Sequence, residues 1–455
     1  MKYVSTRGEA KEASFEDILA SGTASDGGLF VPSVIPKLES AVIDDMKNLS
    51  YIEIAEIIIS PFIGDFLKKD ELQKIISDAY KNFETNDVVQ IKDYEFGHVL
   101  ELFHGPTLAF KDVAMQLLGR FLNAASEKLG KKIVILGATS GDTGSAAIAA
   151  CQNFENLHSF IFFPDGKISE VQRKQMTTWN KDNVEAVSVT GNFDDCQDFV
   201  KNMFADTSEN KDILFASINS INWTRILAQT VYFFYLSSRI DKKEINVSIP
   251  SGNFGHAYAG WYAKKMGLNL NKINIATNRN NVLDVFFKNN IYRKLNTLES
   301  LAPSMDISSA SNFERLVFDS LGGNGIETQK LMKQFKKDGF SIANKLYKDL
   351  CNVFESHSVA DEEILEEIEL LYEMTGDIFD PHTAIGIKNI REGGAENYVC
   401  FATAHPSKFI DTIKKVIPDF SDTPKRLQKF LDSEEKYETM NYNFSDLKEF
   451  IFNKI

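Results

Sequence analysis

Apolar and polar positions along this 455-residue chain change rhythm near residue 91. Before that point the spacing is that of amphipathic helices. Residues 51–59 and 71–83 set apolar side chains three and four apart, the repeat that gathers one helical face. Ser14, followed by Glu16 and Asp17, predicts a helix entry, because a hydroxyl N-cap and early carboxylates suit the free N–H groups there. Residues 26–32 read as a turn leading into an extended stretch. After residue 91, short apolar runs alternate with longer helical patterns. Runs at 99–103, 132–137, 160–164, 184–189, 245–249 and 272–277 predict strands, and 110–129, closed by Gly130, predicts a helix. Strands separated by helices of this length pair in parallel, so the pattern predicts an α/β fold. Past 415 the chain is charged and predicts helices, with Ser445 as the N-cap of the last. No internal repeat occurs.

Composition adds limits. With 43% hydrophobic and 25% charged residues the chain is a folded globular one, too long for a single core. No run of about 18 apolar residues predicts a membrane span, and the first residues lack the apolar core of a secretion signal. Cys151, Cys196, Cys351 and Cys400 are isolated, which fits reduced residues of a cytoplasmic protein. No His, Cys or Asp cluster has ligand spacing, so no metal is expected. Lys and Arg number 50 against 64 Asp and Glu, a net charge of −14. That balance argues against nucleic acid and anionic membranes as partners. An anionic ligand must then be held locally, by backbone amides and a few placed cations.

Two segments have the form such a pocket needs. In residues 133–147 and 247–257 a buried strand runs into small and hydroxyl residues and then opens a helix. Glycine permits close backbone approach, and a helix N-terminus offers free N–H groups to an anion. The competing interpretation is an ordinary βα turn, and α/β proteins contain many. Neither segment is a nucleotide fingerprint: the first lacks the P-loop lysine and does not match G-x-G-x-x-G. The triplet Gly191-Asn192-Phe193 repeats Gly252-Asn253-Phe254, yet Asp194 and Asp195 follow it and would repel a phosphate. The later triplet, followed by Gly255, is the better cradle.

Lys111 lies after an apolar stretch, at the predicted start of a helix. Most lysines are solvated surface residues. A partly dry site next to Leu108, Ala109 and Phe110 would depress the amine's basicity, as would a helix N-terminus. Such a setting serves a Schiff-base lysine.

These residues resemble a known family. The string HGPTLAFKD at 104–112 is similar to the cofactor-lysine motif of the threonine synthases. So are ATSGDTG at 138–144, GKIS at 166–169, NSIN at 219–222 with Arg225, and PSGNFG at 250–255. DPHTA at 380–384, TAHP at 403–406, YVSTRG at 3–8 and DGGLF at 26–30 also fit, in the family's order. The resemblance implies a fold-type II pyridoxal-phosphate enzyme with two open parallel-sheet α/β domains. The larger, cofactor-binding domain would comprise 91–110 and 246–415, and the smaller 111–245. A mainly helical region, 1–90, would precede them and a helical extension, 416–455, would follow.

The implied reaction converts O-phospho-L-homoserine and water to L-threonine and phosphate. Lys111 would carry pyridoxal 5'-phosphate, Gly252, Asn253, Phe254, Gly255 and His256 would surround its phosphate, and Thr403 would meet its pyridine nitrogen. Ser140, Asp142 and Thr143 would hold the substrate's amino-acid end, while Ser220, Asn222, Arg225 and Lys167 would face its phosphate. His256 departs from the Asp or Asn expected after GNFG, which leaves its side-chain role open. His104, His382 and His405 receive no role. A lyase releasing 2-oxobutyrate, phosphate and ammonia is the alternative within enzymes, and a non-catalytic phosphometabolite binder the alternative outside them. A monomer or a homodimer is expected.

Overall fold

A computed structural model describes residues 1–139, 141–206, 212–241, 244–393 and 398–455. The strands run in chain order as β1 (Tyr3–Ser5), β2 (Phe30–Pro32), β3 (Gln90–Tyr94), β4 (Gly97–Glu101) and β5 (Lys132–Ala138). They continue as β6 (Leu157–Pro164), β7 (Val184–Thr190), β8 (Ile213–Ser217), β9 (Ile245–Pro250) and β10 (Leu270–Thr277). The last are β11 (Phe354–Ser358), β12 (Tyr398–Ala402) and β13 (Glu438–Asn441). Six helices bear on the site: α1 (Lys111–Leu129), α2 (Asp142–Cys151), α3 (Glu170–Thr177), α4 (Phe193–Ala205), α5 (Trp223–Arg239) and α6 (Gly255–Met266).

A six-stranded sheet has the order β11-β10-β9-β12-β4-β3, parallel except for the β3–β4 hairpin. A five-stranded, fully parallel sheet has the order β13-β7-β6-β5-β8. Apart from the outer strands, both are largely buried on both faces, which explains the apolar-rich runs. In the larger sheet the chain steps from β9 outward through β10 to β11, while β12 and β4 lie on β9's other side. In the smaller sheet it steps from β5 through β6 to β7, and β8 lies on the other side. Each sheet therefore has a point where the stepping direction reverses, and the crevice beyond the strand ends there is where α/β sheets bind ligands.

The predicted helices at 51–59 and 71–83 form as Tyr51–Ile63 and Lys69–Tyr80. Ser14 caps the helix Phe15–Ala20 through a reciprocal bond pair with Asp17. The segment past 415 differs from the helical expectation. It adds β13 to the edge of β7, and its last helix is capped by Asn443 rather than Ser445. The Asn443 side chain accepts from the Ser445 and Asp446 amides, so the cap lies two residues earlier.

Candidate active site

Both reversal points open onto one cavity of about 660 Å³. From the larger sheet come Ser251, Gly252, Asn253, Phe254, Gly255 and His256 after β9, Thr403 after β12, and Lys111 beyond β4. From the smaller sheet come Thr139, Asp142 and Thr143 after β5, and Ser220 and Arg225 after β8.

Lys111 is the first residue of α1, and its neighbours fix it. The Phe110 amide donates to the Thr403 carbonyl at 2.8 Å, and Ala109 bridges Ala404. The buried Asp112 carboxylate accepts from the Thr107 amide at 2.7 Å and its hydroxyl at 2.8 Å, which closes the preceding turn. Burial raises Asp112 to about 6, against those bonds. Lys111 Nζ donates to Asp142 Oδ2 at 3.1 Å. Burial lowers the basicity of this amine; Asp142 opposes that, while Lys408 and Arg225 add to it, and the net result lies below the usual lysine value.

Asp142 begins α2 and meets a second cation. Lys408 Nζ lies 3.0 Å from its Oδ1. Burial alone would raise the Asp142 carboxyl, but the two ammonium groups hold it well below the usual range. Gln172 donates to the same Oδ1 at 3.3 Å, and a Cβ on Gly141 would lie 2.4 Å from the Gln172 amide nitrogen. Glycine is therefore required at 141 for this contact. Gln172 lies on α3, whose Gln175 meets Lys408 at 2.6 Å and the Thr107 carbonyl at 3.0 Å. Another face of α3 is tied to the C-terminal segment: Arg173 makes a bidentate pair with Glu435, and Lys174 donates to the Leu431 carbonyl.

The loop after β9 leads into α6. Phe254 takes a left-handed conformation, φ 62°, which an L side chain adopts at a cost of about 1 kcal/mol. Burial of its ring against Phe313 and Phe354 offsets that. A Cβ at Gly252 would come within 3.0 Å of Met305 Cα, a backbone atom that cannot swing aside. No side chain caps α6 and no acid stands in its first turn, so its leading amides remain available to an anion.

His256 stacks between Phe110 and Phe401, and neither ring nitrogen has a partner among the described residues. Burial takes its imidazole down to about 3, so it is neutral. Arg225 is also buried. It donates to the Ile218 carbonyl at 2.9 Å, its Nε has no partner, and it makes no ion pair among the described residues. Burial pulls its guanidinium down to about 10.

The structure brings Lys111, Asp142, Thr143, Ser220, Arg225, Gly252, Asn253, Phe254, Gly255, His256 and Thr403 to the cavity. Ser140 lies outside the described residues. Lys167 and Asn222 are not on the cavity wall. Asn222 is the N-cap of α5, and its amide side chain is engaged by Thr224, Leu19 and Ser217. Three residues absent from the sequence-based set belong here: Lys408, Gln172 and His382. His382 lines the wall, with Nδ1 2.8 Å from Asp380 and Nε2 accepting from the Ser304 amide. Lys408 had one faint signal, a lysine between Ser407 and Phe409 just after the TAHP string. Among the described residues no group of His, Cys, Asp and Glu is arranged to hold a metal, and no helix is long and apolar enough to cross a membrane.

A lowered amine and an uncapped helix entrance behind a glycine fit an aldehyde-bearing phosphate cofactor. The family model "Pyridoxal-phosphate dependent enzyme" matches residues 99–331. Fold and site together define a fold-type II enzyme that uses pyridoxal phosphate. "Threonine synthase N terminus" matches 2–80 and "Threonine synthase, C-terminal" matches 383–451. The chain is 41% identical to the threonine synthase of Pseudomonas aeruginosa, covering 99% of this chain and 98% of that one. The pyridoxal-phosphate-bound threonine synthase of Brucella melitensis superposes with a TM-score of 0.96 at 38% identity, over 100% of this chain and 99% of that one. The yeast threonine synthase structure does so at 0.93 and 35%, over 100% and 98%. The chain belongs to the threonine synthase family.

Proposed function

We propose that this enzyme converts O-phospho-L-homoserine and water into L-threonine and phosphate in the cavity between the two sheets. The observation that carries this reading is Arg225, a buried cation on the wall with no carboxylate to answer it among the described residues. A side-chain phosphate on the substrate supplies the missing charge, and a guanidinium binds it with two parallel bonds. Lys111, residues 252–255 and Thr403 would hold pyridoxal phosphate, which when bound supplies an electron sink for negative charge at the substrate's α and β carbons.

This chain's own groups then bind, orient and move protons. Thr143 and the leading amides of α2 take the substrate carboxylate, a favourable site for an anion. Asp142 faces the amino group. Lys111, its amine free, removes the Cα proton and relays one at Cβ, and its lowered basicity suits both directions of transfer. Ser220 and Arg225 stabilise the phosphate as it departs with its electron pair. Lys111 passes the proton taken at Cβ on to Cγ, which becomes the methyl carbon; water then adds at Cβ, and Lys111 returns the other proton to Cα.

The Arg225→Ala variant tests the reading. It should lower kcat/KM by on the order of 10²-fold while the protein keeps its cofactor through gel filtration, because one charge-assisted contact is lost. The wild-type protein should release threonine and phosphate in equal amounts. An unchanged kcat/KM removes Arg225 from the phosphate site, and 2-oxobutyrate as the main product replaces the synthase with a lyase.

A further inference from the structure

Lys408 is a lysine in the wrong place for its type. It lies in the turn Pro406–Phe409 just after β12, and none of its side chain is exposed. Its three N–H bonds are all accounted for: Asp142 Oδ1 at 3.0 Å, Gln175 Oε1 at 2.6 Å and the Thr107 carbonyl at 2.8 Å. It does not reach the cavity wall. A wholly buried ammonium is costly to keep unless opposite charge and hydrogen bonds answer it, as they do here.

Charge counting shows what it does. With both lysines protonated the cluster carries two positive charges and one negative. When Lys111 loses its proton, Asp142 and Lys408 remain as a balanced pair. Remove Lys408, and the same proton loss strands a lone carboxylate in a buried site, which is strongly disfavoured. Asp142 would then hold Lys111 as an ammonium, useless as a base. We propose that Lys408 is a positioning residue that keeps Asp142 neutralised and in place, so that Lys111 can give up its proton. The proposal rests on the reading of Lys111 as the base of the reaction.

The other charged groups around Lys111 act with this arrangement. Arg225, from α5, pushes the amine in the same direction as Lys408, and Asp142 is the opposing group. Asp112, on α1 itself, is engaged by Thr107 and is also reached by the field of Lys408. His256 and His382 line the same cavity, the first held neutral by burial and the second turned to Asp380.

The sign of the effect follows. Lys408→Met removes a like charge, so the Lys111 midpoint should rise by roughly one pH unit or more. Asp142→Asn removes the opposite charge, so the midpoint should fall below wild type. The full-length protein, freed of cofactor, is labelled with acetic anhydride in competition across the pH range, and the peptide holding Lys111 is quantified by mass. In the cofactor-loaded enzyme, where the Lys111 amine is free only once substrate is bound, the acidic limb of kcat should move to higher pH in Lys408→Met, in the same direction as the labelling midpoint. A Lys111 midpoint unchanged in Lys408→Met with native circular dichroism makes Lys408 a packing residue only and overturns the proposal. Should that variant not fold, Asp142→Asn decides alone: a midpoint equal to or above wild type overturns it. Labelling reads the amine without substrate, so this result is independent of which product the enzyme releases.

Discussion

Two stretches of this molecule share the triplet Gly-Asn-Phe, and both reach the same cavity, but their helices begin in opposite ways. At 191–193 the Asn192 side chain accepts from the Asp195 amide, and the Asp195 carboxylate accepts from the Asn192 amide at 2.8 Å. Helix α4 thus satisfies its own leading donors and carries two acids in its first turn. At 252–254 the Asn253 carbonyl accepts from Asn312, Phe254 turns left-handed, and α6 starts with no side-chain cap and no acid. One helix has used its amides on itself, and the other presents them. The difference resides in the flanking residues, Asp194 and Asp195 against Gly255 and His256, and it decides which loop can receive a phosphate.

The contrast can be broken at several levels. Lys111→Ala removes the covalent anchor and should cost 10³-fold or more in turnover, on the order expected for losing a base and an attachment point together. Visible absorbance of the purified variant should disappear on desalting; retained colour would mean that the α6 cradle alone suffices. Gly255→Asp gives α6 the acidic first turn of α4. It should weaken pyridoxal phosphate binding by roughly 10- to 100-fold in equilibrium dialysis, through repulsion at a helix start. Equal affinity would take the phosphate away from that helix. Asn192→Ala should lower unfolding stability by about 1 kcal/mol in urea, the usual worth of an N-cap, and leave cofactor affinity as it was. A loss of affinity there would mean that both triplets serve the ligand.

Much of the fold was readable because its inner strands are largely buried on both faces and their sequences are rich in apolar residues. β5, β6, β9 and β10 all announce themselves in this way. β11 reads FESHS and β13 reads ETMN, and neither has a period to detect. Backbone pairing at a sheet edge makes them strands, and that is a property of the neighbour. The site divides similarly. Lys111 and the loop 252–255 are local strings, with the helix start and the chemistry in one stretch. Lys408 depends on an acid from another sheet, so no local pattern marks it. Asn222 sits inside a family string beside Arg225, yet its carbonyl oxygen caps the helix that aims Arg225. Sequence spacing could not separate the residue that faces the cavity from the one that holds it.

Helix α3 carries a further consequence. It spans two turns, and within them Gln172 and Gln175 steady the acid and the buried lysine while Arg173, Lys174 and Thr177 clasp residues 431–435. The region around Glu435 is thus a remote brace, and the alignment of the proton-handling groups inherits its stiffness. Substitutions in that outlying stretch are placed to alter how sharply the reaction is poised without touching a single reacting atom.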